Sequence, residues 1–352
     1  MSRSVPFQTP PDPDRSDRAR PPDVPGAVQP VRISRDLFQA AAERLVSQSQ
    51  GDLTAAAKRL ITTAPAHGID LSMAHATVDV ASRPPSIRQA CLPVLGAGRT
   101  AMMFVSEPPR SGDPGGPTIA RGERVACLLA ACEFLAREHP MEVAVAQGLP
   151  DPKEAWAIEA YLGAGFLNVG QLAYMRRALN DRGQTGPDEG PWPDGVSVEN
   201  VGEMREAQWK GQLVAALDRS YEHTLDCPEL CGLRATVDIL ASHQATGEFD
   251  PRLWWLVRWQ GEPHGCLLLN ACPEQRTVEL VYIGLSPALR GRGLARRLLA
   301  MGTHAAKARH SGWSLACAVD LRNTPALKLY GALAFRAFGE RVALVRRVDR
   351  RG

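Results

Sequence analysis

The chain has 352 residues, of which 44% are hydrophobic and 22% charged, with a formal net charge of +3; that balance belongs to a globular protein and excludes a disordered one. So small a charge, with basic and acidic residues interspersed, gives no reason to expect a nucleic-acid partner. No apolar run approaches the roughly 18 residues of a membrane span, and the N-terminal "MSRSVPFQTPPDPDRSDRARPPDVPG" lacks the apolar core of a secretory signal, so a cytoplasmic protein without a membrane partner is expected.

In chain order, residues 1–29 are rich in Pro, Asp and Arg without periodicity and are expected to be a disordered tail. Helical patterning begins near Asp36, and a second helix follows Asp52, a plausible cap, with Leu53, Ala57, Leu60 and Ile61 on one face. Strand-like stretches come at "ATVDVAS", "QACLPVL" and "TAMMFVS", then a Pro/Gly loop, "EPPRSGDPGGPTIARG". A helix carrying Val125, Leu128, Leu129, Cys132, Leu135 and Ala136 on one face precedes the strand "MEVAVAQ" and a helix entering "AYLGAGF". Residues 181–195 read as a linker. A second round opens at "VSVENVG", with helices to about Ser242, the antiparallel pair "LWWLVRW" and "HGCLLLN", the strand "TVELVYIGL", a helix from Leu294, the strand "SLACAVD" and a last helix. The eight cysteines lie mostly in apolar runs and read as small buried residues. Cys227 and Cys231 have no matching pair, so no metal site is expected.

The two rounds end alike: "AIEAYLGAGF" (157–166) and "ALKLYGALAF" (326–335) each follow a strand and precede another. Self-similarity over a long period points to duplication of one domain.

The stretch "SPALRGRGLARRLL" (286–299) joins a strand to a helix whose Leu294, Leu298, Met301, Ala305 and Ala308 share a face. Such a turn leaves backbone N–H groups unpaired at the positive end of the helix dipole, where anions bind. Gly291 and Gly293 let the backbone approach a pyrophosphate, and Arg290 and Arg292 add charge. Neither a Gly-Lys-Ser/Thr loop nor a G-x-G-x-x-G fingerprint is present.

Arg290-Gly291-Arg292-Gly293-Leu294-Ala295 resembles the Arg/Gln-x-x-Gly-x-Gly/Ala signature of the GNAT N-acetyltransferase superfamily. "VELVYIGLSP" before it resembles the family's central strand, "SLACAVDLRN" after it the next strand, and "NTPALKLYGALAF" the family's Asn-x-x-Ala-x-x-x-Tyr-x-x-x-Gly-Phe segment, although Ala334 stands where that family has glycine. The likeness covers about residues 196–348 and is strongest over 278–335. It implies an α+β fold of two tandem GNAT-like domains, each a mixed, mostly antiparallel sheet flanked by helices: a degenerate one over 30–180 and a catalytic one over 196–352. It implies an N-acetyltransferase moving an acetyl group directly from acetyl-CoA to a primary amine of a small molecule or peptide, with acetyl-CoA as cosubstrate and no metal.

By the same resemblance the six residues from Arg290 to Ala295 hold the pyrophosphate, and Ile283, Gly284 and Leu285 meet the acetyl-pantetheine arm. Asn323 either contacts that arm or caps its helix. Tyr330 matches the position of the acid that protonates the leaving thiolate. Glu279, a charge inside an apolar strand eleven residues before Arg290, matches the base of histone-acetyltransferase-like members; an outward-facing strand position is its structural alternative. Tyr221, Glu222 and Asp226 are candidate acceptor contacts, or simply a solvated helix face.

The first round lacks the phosphate signature, and its prolines remove N–H donors where that turn needs them. A degraded first half before an active second half is similar to the layout of the mycothiol synthases within the superfamily. The alternative to an enzyme is a non-catalytic acyl-CoA-binding or sensor protein on the same fold.

Overall fold

The computed structural model describes residues 26–47, 51–109, 112–113, 115–180 and 190–348. The expected N-terminal tail up to residue 25 and linker residues 181–189 lie outside the described residues.

The first half runs β1 (Pro30–Arg32), α1 (Phe38–Leu45), α2 (Leu53–Thr63), β2 (His75–Asp79), β3 (Ser86–Gly96), β4 (Thr100–Val105), α3 (Pro117–Glu138), β5 (Val145–Gly148), α4 (Ala155–Gly163) and β6 (Leu167–Ala178). The second runs β7 (Val196–Asn200), α5 (Glu206–Tyr221), α6 (Thr236–Ala245), β8 (Trp254–Trp259), β9 (Glu262–Cys272), β10 (Thr277–Leu285), α7 (Leu294–Arg309), β11 (Ser314–Asp320), α8 (Thr324–Ala332) and β12 (Arg336–Arg347). Local chemistry sets several boundaries. Asp52 caps α2 by accepting from the N–H groups of Thr54 and Ala55. Trp259 pairs with Glu262 across Gln260-Gly261. Both turn residues take positive φ, 51° and 84°, and such a two-residue turn matches the twist of a hairpin.

The strands form one sheet in the order β1-β2-β3-β4-β5-β12-β6-β11-β10-β9-β8-β7. Every neighbouring pair is antiparallel except β4 with β5 and β10 with β11. The two mixed sheets expected from the repeat are therefore joined edge to edge, and their last strands are exchanged. β12, from the second half, lies between β5 and β6, while β6, from the first, lies between β12 and β11.

This exchange reaches into both cores. Val342 and Leu344 of β12 pack in the first-half cluster with α3, α4 and Met103, whereas Ala173 and Met175 of β6 pack with α7, Leu315 and Tyr330 in the second. Each large side chain so buried is worth about 1.5–3 kcal/mol, so each half borrows part of its core from the other. Alternation along the strands puts α3, α4, α7 and α8 on one face. The opposite face carries α1 over Ala90 and Leu92, and α5 and α6 over Cys266 and Leu268.

Candidate active site

The site is a gap in the sheet. β10 and β11 pair only from Thr277 to Glu279 against Ser314 to Ala316, and beyond that they separate. A bulge between Leu280 and Tyr282 re-aims β10 just before the gap. Leu280 packs toward α7, while Val281 and Tyr282 both pack toward α5 and α6.

Hydrogen bonding shows which backbone groups line the opening. The Ser286 N–H donates to His264 O of β9 at 2.7 Å. Because N–H groups alternate between the two edges of a strand, those of Ile283 and Leu285 point away from β9, into the gap. Gly284 has no room for a side chain, since the Tyr282 ring and hydroxyl lie where a Cβ would stand. Across the gap, Leu321 N–H donates to Gln171 O of β6 at 2.8 Å, which turns the Asp320 N–H toward the opening. Asp226 Oδ1 accepts it at 2.9 Å.

The turn at the head of α7 has the backbone the glycine spacing requires. Gly291 and Gly293 adopt φ of 74° and 76°, a region other residues enter only with strain. A Cβ at either position meets nothing, so an open, concave face is left in front of the turn. Gly293 is the N-cap, and no side chain caps the helix; the first-turn N–H groups of Leu294 and Ala295 therefore remain for an anion.

The two arginines of the turn differ from expectation. The Arg290 guanidinium is directed at carbonyl oxygens: Nε donates to Leu285 O at 2.9 Å, one Nη to His223 O at 3.1 Å and the other to Ser220 O at 2.9 Å. Its donors are thereby used to tie the turn to the end of α5, while its charge stays beside the cradle. Arg292 is exposed and stands 5.8 Å from the centre of the Trp259 ring.

Tyr330 hangs from α8 with 5% of its surface exposed, in the core that also holds Cys317 and Val319 of β11. Burial pushes its phenol well above the usual value, and Cys317 and Asp226 add to that, so the hydroxyl is protonated at neutral pH. Among the described residues it has no hydrogen-bond partner. Asn323 caps α8, its Oδ1 accepting from Ala326 N–H at 3.3 Å.

Glu279 is on the opposite face. It pairs with Asn270 of β9, whose amide donates to the carbonyls of His243 and Thr246 at the end of α6. Burial raises its carboxyl pKa to about 7. The partly buried residue lines a recess of about 510 Å³ with Glu248, Cys272 and Glu274.

Of the acceptor candidates, Asp226 reaches the gap. Tyr221 packs its ring against Tyr282 at 5.6 Å, and Glu222 is exposed at the end of α5. The segment after α5 is strapped across the mouth of the gap. Arg290 holds its start, Cys227 N–H donates to Asp320 Oδ2 at 3.1 Å, and Arg322 pairs with Glu229 at 2.7 Å. Sequence reading missed His243, whose ring stacks on Tyr282 at 5.7 Å and whose Nε2 is buried without a partner. Burial, with Arg234, lowers its pKa to about 4. A histidine in a polar helix end, "SHQATGE", carried no periodic signal that it would turn inward.

The first half repeats the gap without the cradle. β4 and β5 also pair over three residues only, Thr100 to Met102 against Val145 to Gln147. α3, however, opens on Pro117, which brings no N–H. Nearby the Asp113 carboxylate is held by Arg124 at 2.6 Å and Gln89 at 3.1 Å. Tyr161, the counterpart of Tyr330, donates its hydroxyl to Met103 O of β4.

The described residues thus combine an open, mostly antiparallel sheet, a splayed parallel pair and a glycine turn at a helix head. Residues 217–335, within the second half, match the acetyltransferase (GNAT) family. The chain is 29% identical to a mycothiol acetyltransferase of Streptomyces bingchenggensis over 172 residues, which are 48% of this chain and 52% of that protein. It is 30% identical to one from Thermomonospora curvata over 175 residues, 49% of this chain and 54% of that protein. The matched part thus spans about half the length of these curated relatives. A GCN5-related N-acetyltransferase from Sphaerobacter thermophilus superposes with a TM-score of 0.53 at 15% identity, covering 91% of this chain and 96% of that one, which shows the fold. No helix among the described residues is long and apolar enough to cross a membrane.

Proposed function

We propose that the protein is an N-acetyltransferase that moves an acetyl group from acetyl-CoA to a primary amine, using the second half alone. The observation that carries this reading is the open glycine cradle and the two inward N–H groups on β10 at one gap, supported by a tyrosine hydroxyl in the adjoining core that has no partner among the described residues.

Acetyl-CoA supplies an activated acetyl thioester. Gly291, Arg292, Gly293, Leu294 and Ala295 hold its pyrophosphate through backbone N–H groups, with Arg290 bracing the turn. The N–H groups of Ile283 and Leu285 orient the arm and stabilise negative charge on the acetyl oxygen. Tyr330 gives its proton to the departing sulfur. Glu279 lies four residues from Ile283 along β10, on the order of 13 Å at the usual rise, so it takes the acceptor's proton through water. A carboxyl poised near neutral pH suits that task. Asp226, at the mouth, holds the acceptor ammonium. Two relatives are mycothiol acetyltransferases by name; here the proposed acceptor is a small-molecule or peptide amine.

Calorimetric titration with acetyl-CoA tests the reading. One site per chain, abolished by Gly293→Glu, is expected. Two sites would make the first half a CoA domain as well, and no binding would leave the fold without this chemistry.

A further inference from the structure

The cavity at the first-half gap, about 670 Å³, has no role in acetyl transfer by the second half. Its walls are aromatic: Trp156 and Tyr161 from α4, Tyr174 from β6 and Phe338 from β12. Three carboxylates, those of Glu107, Asp151 and Glu154, share it with one cation, Arg341. Arg341 is engaged by Asp151 at 3.4 Å. Among the described residues neither Glu107 nor Glu154 makes an ion pair. Glu154 accepts the Asp151 N–H at 2.8 Å, and burial, with the neighbouring Glu154 charge, raises the Glu107 pKa, although Arg44 works the other way.

An anionic ligand meets three carboxylates here against the single guanidinium of Arg341, which Asp151 already engages. A cation finds the reverse. Aromatic faces attract it through their quadrupoles, and two like-charged carboxylates at a low-dielectric wall are relieved by it. The rings already attract cations within the protein: Arg124 lies 5.0 Å from the Trp156 centre and Arg176 lies 5.0 Å from that of Phe338.

We propose that the first-half cavity is a separate binding site for a small organic cation, an ammonium carried on an aromatic or apolar body, held between Glu107 and Glu154 and the rings of Trp156, Tyr174 and Phe338. Tyr174 connects it to the second half, since the neighbouring charge of Glu279 acts on that tyrosine from the same sheet face.

The site is tested with tryptamine as probe, on full-length protein carrying Gly293→Glu so that the cradle and the acetyltransferase reading play no part. Calorimetry is expected to show one tryptamine site, with indole-3-propionate, the same ring with opposite charge, at least tenfold weaker. Glu107→Gln combined with Glu154→Gln, and separately Phe338→Ala, an exposed position, should each weaken tryptamine at least tenfold while thermal unfolding stays cooperative. The proposal is overturned if tryptamine does not bind, if indole-3-propionate binds equally well, or if Glu279→Gln rather than the cavity variants removes binding. It is also overturned if acetyl-CoA binds the unmodified cradle protein at two sites, the second lost with Phe338→Ala.

Discussion

At the scale of single residues, the two tyrosines in equivalent positions have taken different roles. Tyr161 spends its hydroxyl on Met103 O, whereas among the described residues that of Tyr330 in the second core has no partner. Tyr330→Phe is therefore expected to lower kcat by about a hundredfold with little change in KM for acetyl-CoA; an unchanged kcat would remove it from the chemistry. Glu279, with its pKa raised from 4.5 to about 7, should make the rate rise with pH through neutrality, and Glu279→Gln should flatten that limb. The same shift bears on stability. A carboxyl that holds its proton more tightly when folded favours the folded state at low pH, and stability is lost as pH rises from 4.5 to about 7. Glu279→Gln should thus be more stable than the parent at pH 8, by up to about 3 kcal/mol, in denaturant melts.

Among the elements, the strap between α5 and α6 links the two ends of the site. Arg290 joins its start to the phosphate turn, and Arg322 with Asp320 joins its middle to the end of β11. Arg290→Ala releases three carbonyls at once and should raise KM for acetyl-CoA at least tenfold, while Arg292→Ala, on the exposed side of the same turn, should change it a few-fold. Equal effects from the two would show that charge alone matters. Arg322→Ala loosens the acceptor side and should raise KM for the amine more than for acetyl-CoA.

For the whole molecule, strand exchange makes the halves one folding unit. Removing β6 would expose the facing edges of β11 and β12 and strip Ala173 and Met175 from the second core; open edges of that kind associate. Residues 196–352 expressed alone should aggregate or pair. A protease site cut into 181–189 should leave the two fragments bound through gel filtration in the absence of denaturant. Fragments that separate cleanly would mean that the exchanged strands contribute little.

How much of this was legible in the sequence depends on range. The cap at Asp52, the hairpin at Gln260-Gly261, the cap at Asn323 and the left-handed glycines of the cradle are local, and short-range sterics and hydrogen bonding specify them from neighbouring residues. The repeat and the family likeness announced two related halves. The sequence did not carry the exchange of β6 and β12, because strand partners so far apart in the chain leave no periodic mark. Nor did it reveal that Arg290 would serve carbonyls, that Asp226 would reach the gap while Glu222 stayed outside, or that Glu107 and Glu154 would share an aromatic cavity. Side-chain type and local backbone were determined by the chain itself. Which groups meet, and how burial shifts their charge, was decided only when distant segments packed and water was excluded between them.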